Sequence, residues 1–330
     1  NLDGISINSP EFITQYKNDI DQILLAIPSL SFTRRKEILL SLQKFSIKIL
    51  QLPPIEKLLS GDLSITNLMP INSEELLGRD PVKADFKLLE KSINGLVVCV
   101  IGGGGSIGTE LCKQILGLSP KALIAFDISE ISLYKLDETL SYFSNSKLVL
   151  KSILGDAKDS LLLKNIFTKF KVDIVFHAAA YKHVPIVEMN PLQGIYNNVL
   201  TTYSVCEAAK ISSLKQMVYI STDKAVRPSN VMGASKRLSE LILQAYSEKN
   251  KNLKITNNGT INHDIQYSIV RFGNVLNSSG SVVPLFKKQI ASGGPITLTH
   301  KDVIRFFMTI SEAAQLVIQS SSLTGSGEVF

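Results

Sequence analysis

From about residue 95 onward, short continuous apolar runs alternate with longer stretches whose apolar positions fall three and four apart. The continuous Val/Ile-rich runs read as strands buried on both faces, and the 3.6-residue period reads as helices that cover them. Strands are predicted over 96–101, 122–126, 148–153, 174–177, 216–221 and 267–272. Helices are predicted over roughly 106–117, 130–143, 159–170, 191–210 and 233–249. A helix between successive strands makes the sheet parallel, because each crossover returns the chain to the same end of the sheet. The fold class is therefore α/β: a Rossmann-type, doubly wound parallel sheet with a smaller lobe. One polar, Asn-rich tract over 249–264 (KNKNLKITNNGTINHD) reads as a mobile surface loop.

The first 60 residues carry a smaller pattern. A helical stretch around 10–18 leads to a strand at 20–26, a basic helix at 34–45 and a second strand at 47–52, which stops at Pro53-Pro54. This reads as a βαβ fragment, too short for an independent domain, so its first strands are expected to lie outside this chain. The absence of an initial Met points the same way. Residues 61–94 read as a connector, and 95–330 as the main domain.

Composition narrows the function. The chain has 330 residues, 45% of them hydrophobic, which suffices for a substantial core. The net charge of +6 is spread without a basic block, so no nucleic-acid partner is expected and a small anionic ligand fits better. Cys99, Cys112 and Cys206 lack metal-type spacing. They read as packing residues in a reducing, cytoplasmic setting, and no metal is expected. No apolar run approaches a membrane span, and the polar start does not resemble a signal peptide.

The segment VVCVIGGGGSIGTEL sets Gly102, Gly105 and Gly108 directly after a strand and at the start of a helix. A turn this tight lets the backbone approach a pyrophosphate, and the helix start supplies free N–H groups. Ser106 and Ile107 belong to the same cofactor-binding turn. Asp127 ends the second strand, where its carboxylate can accept from adenosine ribose hydroxyls, and Asp156 follows the third, placed to meet adenine. No Arg follows Asp127 to receive a 2′-phosphate, so the cofactor read here is NAD, with NADP disfavoured. The three-residue glycine spacing resembles the extended short-chain dehydrogenase/reductase superfamily. HAAAYKHVP strengthens that match, placing small Ala178, Ala179 and Ala180 where a dinucleotide passes close to the backbone.

The fifth strand is followed by YISTDKAVRPSNVMGASKRLSE. In the superfamily a Ser or Thr ends this strand and a Tyr-x-x-x-Lys follows on a helix. Thr222 and Lys236 match, but Met232 stands at the Tyr position. Lys236 can still hold the nicotinamide ribose, whereas Met232 can move no proton. Two explanations are open: a protein that only binds cofactor, or proton work moved to the adjacent acid and base, Asp223 and Lys224.

Together GGGGSIGTEL, HAAAYKHVPIVEMNP, YISTDKAVRPSNVMGASK and VRFGNVLNSSGSVVPLF resemble the UDP-N-acetylglucosamine 4,6-dehydratase family of polysaccharide biosynthesis (CapD-like), whose long members carry Met at this position. The later GGPITLTHKDVIRFFMTISEAAQLV and the ELLGRDPV of the connector are also similar. The resemblance implies a UDP-sugar substrate and leaves room for a homo-oligomer. It implies that residues 1–60 are part of a CoA-binding-like Rossmann domain, that the smaller lobe holds substrate, and that the C-terminus is truncated. Because long members have membrane helices, the chain would be cytoplasmic or the soluble part of an inner-membrane protein. The implied activity is oxidation at C4, loss of water across C5/C6 and reduction at C6. Lys224 would be the base at C5, Asp223 the acid for the 6-hydroxyl, and Thr222 the partner of the C4 oxygen. Lys182, Asn274 and Thr297 would line the sugar-nucleotide site, with Arg271 and Arg305 as diphosphate partners through their guanidinium forks. His183 and Glu188 would support the site from behind. A nucleotide-sugar epimerase or reductase, or a non-catalytic dinucleotide sensor, are the competing readings.

Overall fold

The computed structural model describes residues 6–27, 30–52, 84–141, 149–212, 214–253, 265–323 and 325–330, with Met69, Pro70 and positions 77, 79 and 82 between them. It divides into two units, Asn1–Val82 and Lys83–Phe330. The expected loop over 249–264 falls mostly outside the described residues, and so does much of the expected connector.

In the first unit a short helix α1 (Phe12–Gln15) precedes strand β1 (Gln22–Leu25), helix α2 (Phe32–Gln43) and strand β2 (Lys48–Gln51). β1 and β2 pair in parallel across the helix, and β3 (Met69–Pro70) joins β2 antiparallel. Ser31 caps α2 by accepting from the Arg34 N–H at 3.5 Å.

The second unit begins earlier than the pattern suggests. Helix α3 (Phe86–Ile93) is capped by Asp85, buries Leu89 and Ile93, and lies within this unit. Then come β4 (Val97–Ile101), α4 (Ser106–Leu116), β5 (Ala122–Asp127), α5 (Glu130–Ser141), β6 (Val149–Leu154), α6 (Ser160–Phe170) and β7 (Ile174–His177). Helices α7 (Val184–Met189) and α8 (Pro191–Lys210) lead to β8 (Gln216–Ile220), helix α9 (Val231–Leu253) and β9 (Gln266–Val270). A smaller lobe follows: β10 (Asn274–Val275), α10 (Val282–Ala291) and β11 (Phe307–Met308), with β10 and β11 paired in parallel. Helix α11 (Ile310–Ser320) and β12 (Glu328–Val329) complete the chain.

The main sheet has seven parallel strands in the order β12-β9-β8-β7-β4-β5-β6. Side chains alternate between its faces, so one strand feeds two cores. Val97, Cys99 and Ile101 point into the layer that includes α6, α8 and α9, with Phe167, Cys206 and Leu243. Val98 and Val100 point into the layer of α4, α5 and α11, with Leu111, Leu136 and Val317. The three cysteines are buried packing residues, and burial pushes their thiols up, that of Cys99 to about 12.

The chain turns from β4 to β5 on one side and reaches β7 on the other. This reversal opens a crevice at the carboxyl ends of β4 and β7. The register aligns Ile101 with Phe126 and His177, His177 with Tyr219, and Ile220 with Val270. The loops that follow those residues therefore emerge along one edge. Among the described residues no helix is long and apolar enough to cross a membrane.

Phe176 is fully buried in β7, beside the reversal. Phe176→Ala is expected to lower unfolding free energy by about 3–5 kcal/mol, the usual loss for a buried aromatic. Urea titration checks it, and a loss below about 1 kcal/mol would mean the core is not centred here.

Candidate functional site

The glycine turn is built on two close approaches. Gly102 follows β4 with φ +81°, and a Cβ there would stand 2.6 Å from the Ala179 nitrogen. A Cβ on Gly108, in the first turn of α4, would stand 2.0 Å from the Gly102 carbonyl oxygen. Helix, turn and the β7–α7 loop thus touch through backbone alone. A Cβ on Gly105 would meet only the Gly102 oxygen at 3.4 Å, so this position faces open space. The start of α4 has no side-chain cap, which leaves N–H groups and the positive end of the helix for an anion.

Three adjoining clefts run along this edge, and Ala178 and Ala180 line all of them. The first, about 170 Å³, is walled by Asp127, Gly155, Asp156, Ala179 and Tyr181. Asp127 accepts from the Gly104 N–H at 3.0 Å and the Ser129 N–H at 2.9 Å. Asp156 pairs with Lys158 at 2.8 Å; burial pushes its carboxyl up, but the Lys158 hydrogen bonds prevail and hold it below the usual range. The second cleft, about 570 Å³, spans the turn at Gly102, Gly105, Ser106, Ile107 and Gly108 and reaches α7 and α8. A dinucleotide fits this run of a carboxylate, a bare backbone turn and small alanines.

The third cleft, about 320 Å³, brings together Lys182, Thr222, Lys224, Met232, Lys236 and Asn274. The Lys224 Nζ donates to Asp223 Oδ1 at 3.0 Å and to Asn274 Oδ1 at 3.4 Å. Thr222 Oγ1 also donates to Asp223 Oδ1, at 2.9 Å. Burial raises the Asp223 carboxyl, yet the hydrogen bonds from Lys224 and Thr222 outweigh it and hold the group below its ordinary value. Asp223 is bonded to the cleft-lining Lys224 and is half exposed. Burial lowers Lys182 from its ordinary value.

Met232 and Lys236 are buried on one face of α9. The Lys236 Nζ donates to the Ile220 carbonyl at 2.7 Å and lies 4.6 Å from the Tyr219 ring centre. Burial pushes Lys236 down to about 7, against the pull of Glu240. Beneath it, His177 is held at about 3 by burial and by the Lys236 charge, so it is a neutral core group rather than an acid or base at ordinary pH. Asn198 accepts from the Tyr181 N–H at 2.7 Å and donates to the Tyr181 carbonyl at 3.1 Å, which pins the loop that carries Lys182.

Three residues expected at the substrate lie outside the linings of these clefts. Arg271 does not face the clefts: its guanidinium forks onto the buried Glu240, at 2.8 Å through Nε and 2.5 Å through Nη2. A buried carboxylate must be paired, and it claims the fork that the sequence assigned to a diphosphate. Thr297 is exposed and bonded to Gln289, at 2.9 Å from the Gln289 side-chain amide. Arg305 is exposed and donates to the neighbouring Ile304 carbonyl at 3.0 Å. Neither lines the clefts. Glu188 instead accepts from the Val231 N–H at 2.6 Å, serving the start of α9, and the His183 ring lies under Gly280. Glu240 was absent from the sequence reading, although its spacing of four from Lys236 placed it on the same helix face. Ser281, whose Oγ is buried without a partner at the edge of the third cleft, gave no sequence signal.

Residues 98–330 match the family model described as polysaccharide biosynthesis protein. The chain is 41% identical over 329 residues to the capsular polysaccharide biosynthesis protein CapD of Staphylococcus aureus, covering 100% of this chain and 53% of that one. It is 32% identical over 239 residues to a UDP-N-acetylglucosamine 4,6-dehydratase (inverting) of Campylobacter jejuni, covering 72% and 66%. It is 33% identical over 236 residues to a UDP-glucose 4-epimerase of Rickettsia bellii, covering 70% and 64%. The chain thus spans about half the length of CapD and about two thirds of the other two.

The buried Lys236 makes a pH prediction for the protein free of nucleotide. Its folded pKa of about 7 lies below the ordinary 10.5, so between these values the unfolded chain binds a proton that the folded chain does not. Stability therefore rises with pH across that window, and below it the folded state carries the full penalty of a buried charge. Lys236→Met should melt above the wild type at pH 7 and below, and this advantage should fade by about pH 10.5. Parallel pH dependences for the two proteins in calorimetry would refute it.

Proposed function

The chain belongs to the polysaccharide biosynthesis protein family, and from that membership we propose that it is a nucleotide-sugar 4,6-dehydratase acting on UDP-N-acetylglucosamine. The observation that carries the reading is the Lys224–Asp223 pair at 3.0 Å, beside a Met232 that can transfer no proton. A protein that only senses a dinucleotide has no use for an acid and a base at this point.

NAD would lie along the clefts, held at its diphosphate by Gly102, Gly105, Ser106, Ile107 and Gly108, and at its adenosine by Asp127 and Asp156. Ala178, Ala179 and Ala180 would pass beneath it, and Lys236 would hold the nicotinamide ribose. When bound, it supplies reversible oxidation of the sugar at C4 and reduction at C6. Thr222 hydrogen-bonds the C4 oxygen. A carbonyl there makes the C5 proton acidic, and Lys224 removes it. Lys224 must first be neutral and Asp223 protonated, against the direction in which their 3.0 Å pair holds Asp223. Desolvation of the pair by bound sugar and cofactor would have to drive the proton from ammonium to carboxylate. That transfer arms both groups at once, leaving Lys224 a base and Asp223 an acid. Asp223 then protonates the departing 6-hydroxyl, and with the C5 proton on Lys224 the pair returns to its starting charges. Lys182 and Asn274 border the same cleft and would contact the sugar nucleotide.

The carboxylate of Asp127, fixed by two backbone N–H groups and followed by Ile128-Ser129-Glu130, would repel a 2′-phosphate. NAD is therefore expected to bind more tightly than NADP in calorimetry, and the opposite order would refute this assignment.

The activity is tested with UDP-N-acetylglucosamine deuterated at C4. The product should be a 4-keto-6-deoxy sugar with the label at C6, and turnover in heavy water should place solvent deuterium at C5. Lys224→Ala and Asp223→Asn should each lower kcat by about 100-fold or more with cofactor still bound. Met232→Ala should do far less. A product that keeps its 6-hydroxyl would make the protein an epimerase, and a stoichiometric build-up of NADH a dehydrogenase. Equal damage from Met232→Ala and Lys224→Ala would overturn the proton assignment.

A further inference from the structure

We infer that Glu240 is a positioning residue for the proton-transfer pair: it clamps the ends of β8 and β9 together and so sets where Lys224 meets the cleft. The inference rests on the reading that Lys224 is the base.

Glu240 lies on α9, four residues beyond Lys236 and eight beyond Met232, and its side chain has no exposed surface. Each carboxylate oxygen accepts two hydrogen bonds. Oε1 takes the Ser221 hydroxyl at 2.5 Å and the Arg271 Nε at 2.8 Å. Oε2 takes the Arg271 Nη2 at 2.5 Å and the Arg237 Nη1 at 2.9 Å. The acceptor capacity of the group is filled.

Two of these donors stand at matching places. Ser221 is the first residue past β8, and Arg271 the first past β9. Beyond them the chains leave the sheet, one as Thr222-Asp223-Lys224 and the other as Phe272-Gly273-Asn274. The last rungs between them are the Ser221 N–H to Val270 carbonyl at 2.7 Å and the Asp223 N–H to Phe272 carbonyl at 3.1 Å. Lys224 then spans the gap to Asn274. Glu240 sits where the two segments part, so its bonds fix their spacing. Apolar residues replacing Glu240 together with its partners would fill this site at no loss of stability, but they would allow the strand ends to slide. Directed bonds from both strands to one carboxylate do not. Ser221 is telling, because a plain Glu240–Arg271 ion pair has no need of it.

The test uses Ser221→Ala, which leaves the ion pair intact, and Glu240→Gln, which keeps the shape and removes the charge. Two quantities are read. One is kcat and KM with UDP-N-acetylglucosamine. The other, without substrate, is the rate at which an amine-acylating reagent modifies Lys224, followed by mass spectrometry. In Ser221→Ala, kcat should fall on the order of 10- to 100-fold, as misplacement of a reacting group does, with KM and NAD affinity nearly unchanged. Lys224 should be acylated severalfold faster, with a change of only a few degrees in melting temperature. Glu240→Gln should move both readouts in the same direction and further. Folded variants that retain the wild-type kcat and acylation rate would overturn the clamp. If the wild type yields no 4-keto sugar, the functional reading fails, and the acylation rates alone still decide: faster modification upholds the clamp, an unchanged rate rejects it.

Discussion

The architecture of the main unit depends on one constraint, the contact of three backbone segments at the end of the central strand. Gly108 brings the first turn of α4 against the Gly102 carbonyl, and Gly102 lies against Ala178 and Ala179 beyond β7. Any side chain at either glycine would drive these segments apart. Because they touch, the helix start opens into the crevice where the strand order reverses, and three clefts become adjoining. The glycine turn and the Thr222-Asp223-Lys224 segment are thereby placed along one edge, on loops that follow strands in a fixed register.

The second theme is how the site handles charge. Lys224 stays at the cleft margin, paired with Asp223 and touching Asn274. Lys236 is buried and its pKa is depressed, and it donates a hydrogen bond to a backbone carbonyl. Glu240 is deeper still, yet burial does not neutralise it, because bonds from Arg271, Ser221 and Arg237 hold its carboxyl below its usual value. One helix therefore carries, at steps of four, the buried Met232, Lys236 and Glu240. Met232 has no proton to transfer, and in the proposed function that work falls to groups of the β8 loop.

Legibility differed between patterns. The buried parallel strands were plain, because a run apolar on both faces has few other uses. The glycine turn was plain because only a backbone-to-backbone contact demands so many missing side chains. Helix α3 was hidden by its polar surroundings, and β10, β11 and β12, each two residues long, are too short for any periodicity. Arg271 shows the harder limit. A guanidinium fork suits a phosphate or a carboxylate equally, and the sequence does not say which is nearer.

By itself, then, the sequence determined the alternating elements, the glycine turn between strand and helix, and an adjacent Asp and Lys followed by Met232 rather than a tyrosine. These are local properties, set by side-chain period, by missing Cβ atoms and by adjacency along the chain. Only the tertiary structure decided that Lys224 reaches Asn274 and that Glu240 joins Ser221 to Arg271, while Thr297 and Arg305 lie apart from the clefts. Those pairings cross from one strand end to another over tens of residues. They follow from strand order and register, which fix which loops share an edge and which carboxylate an arginine can reach.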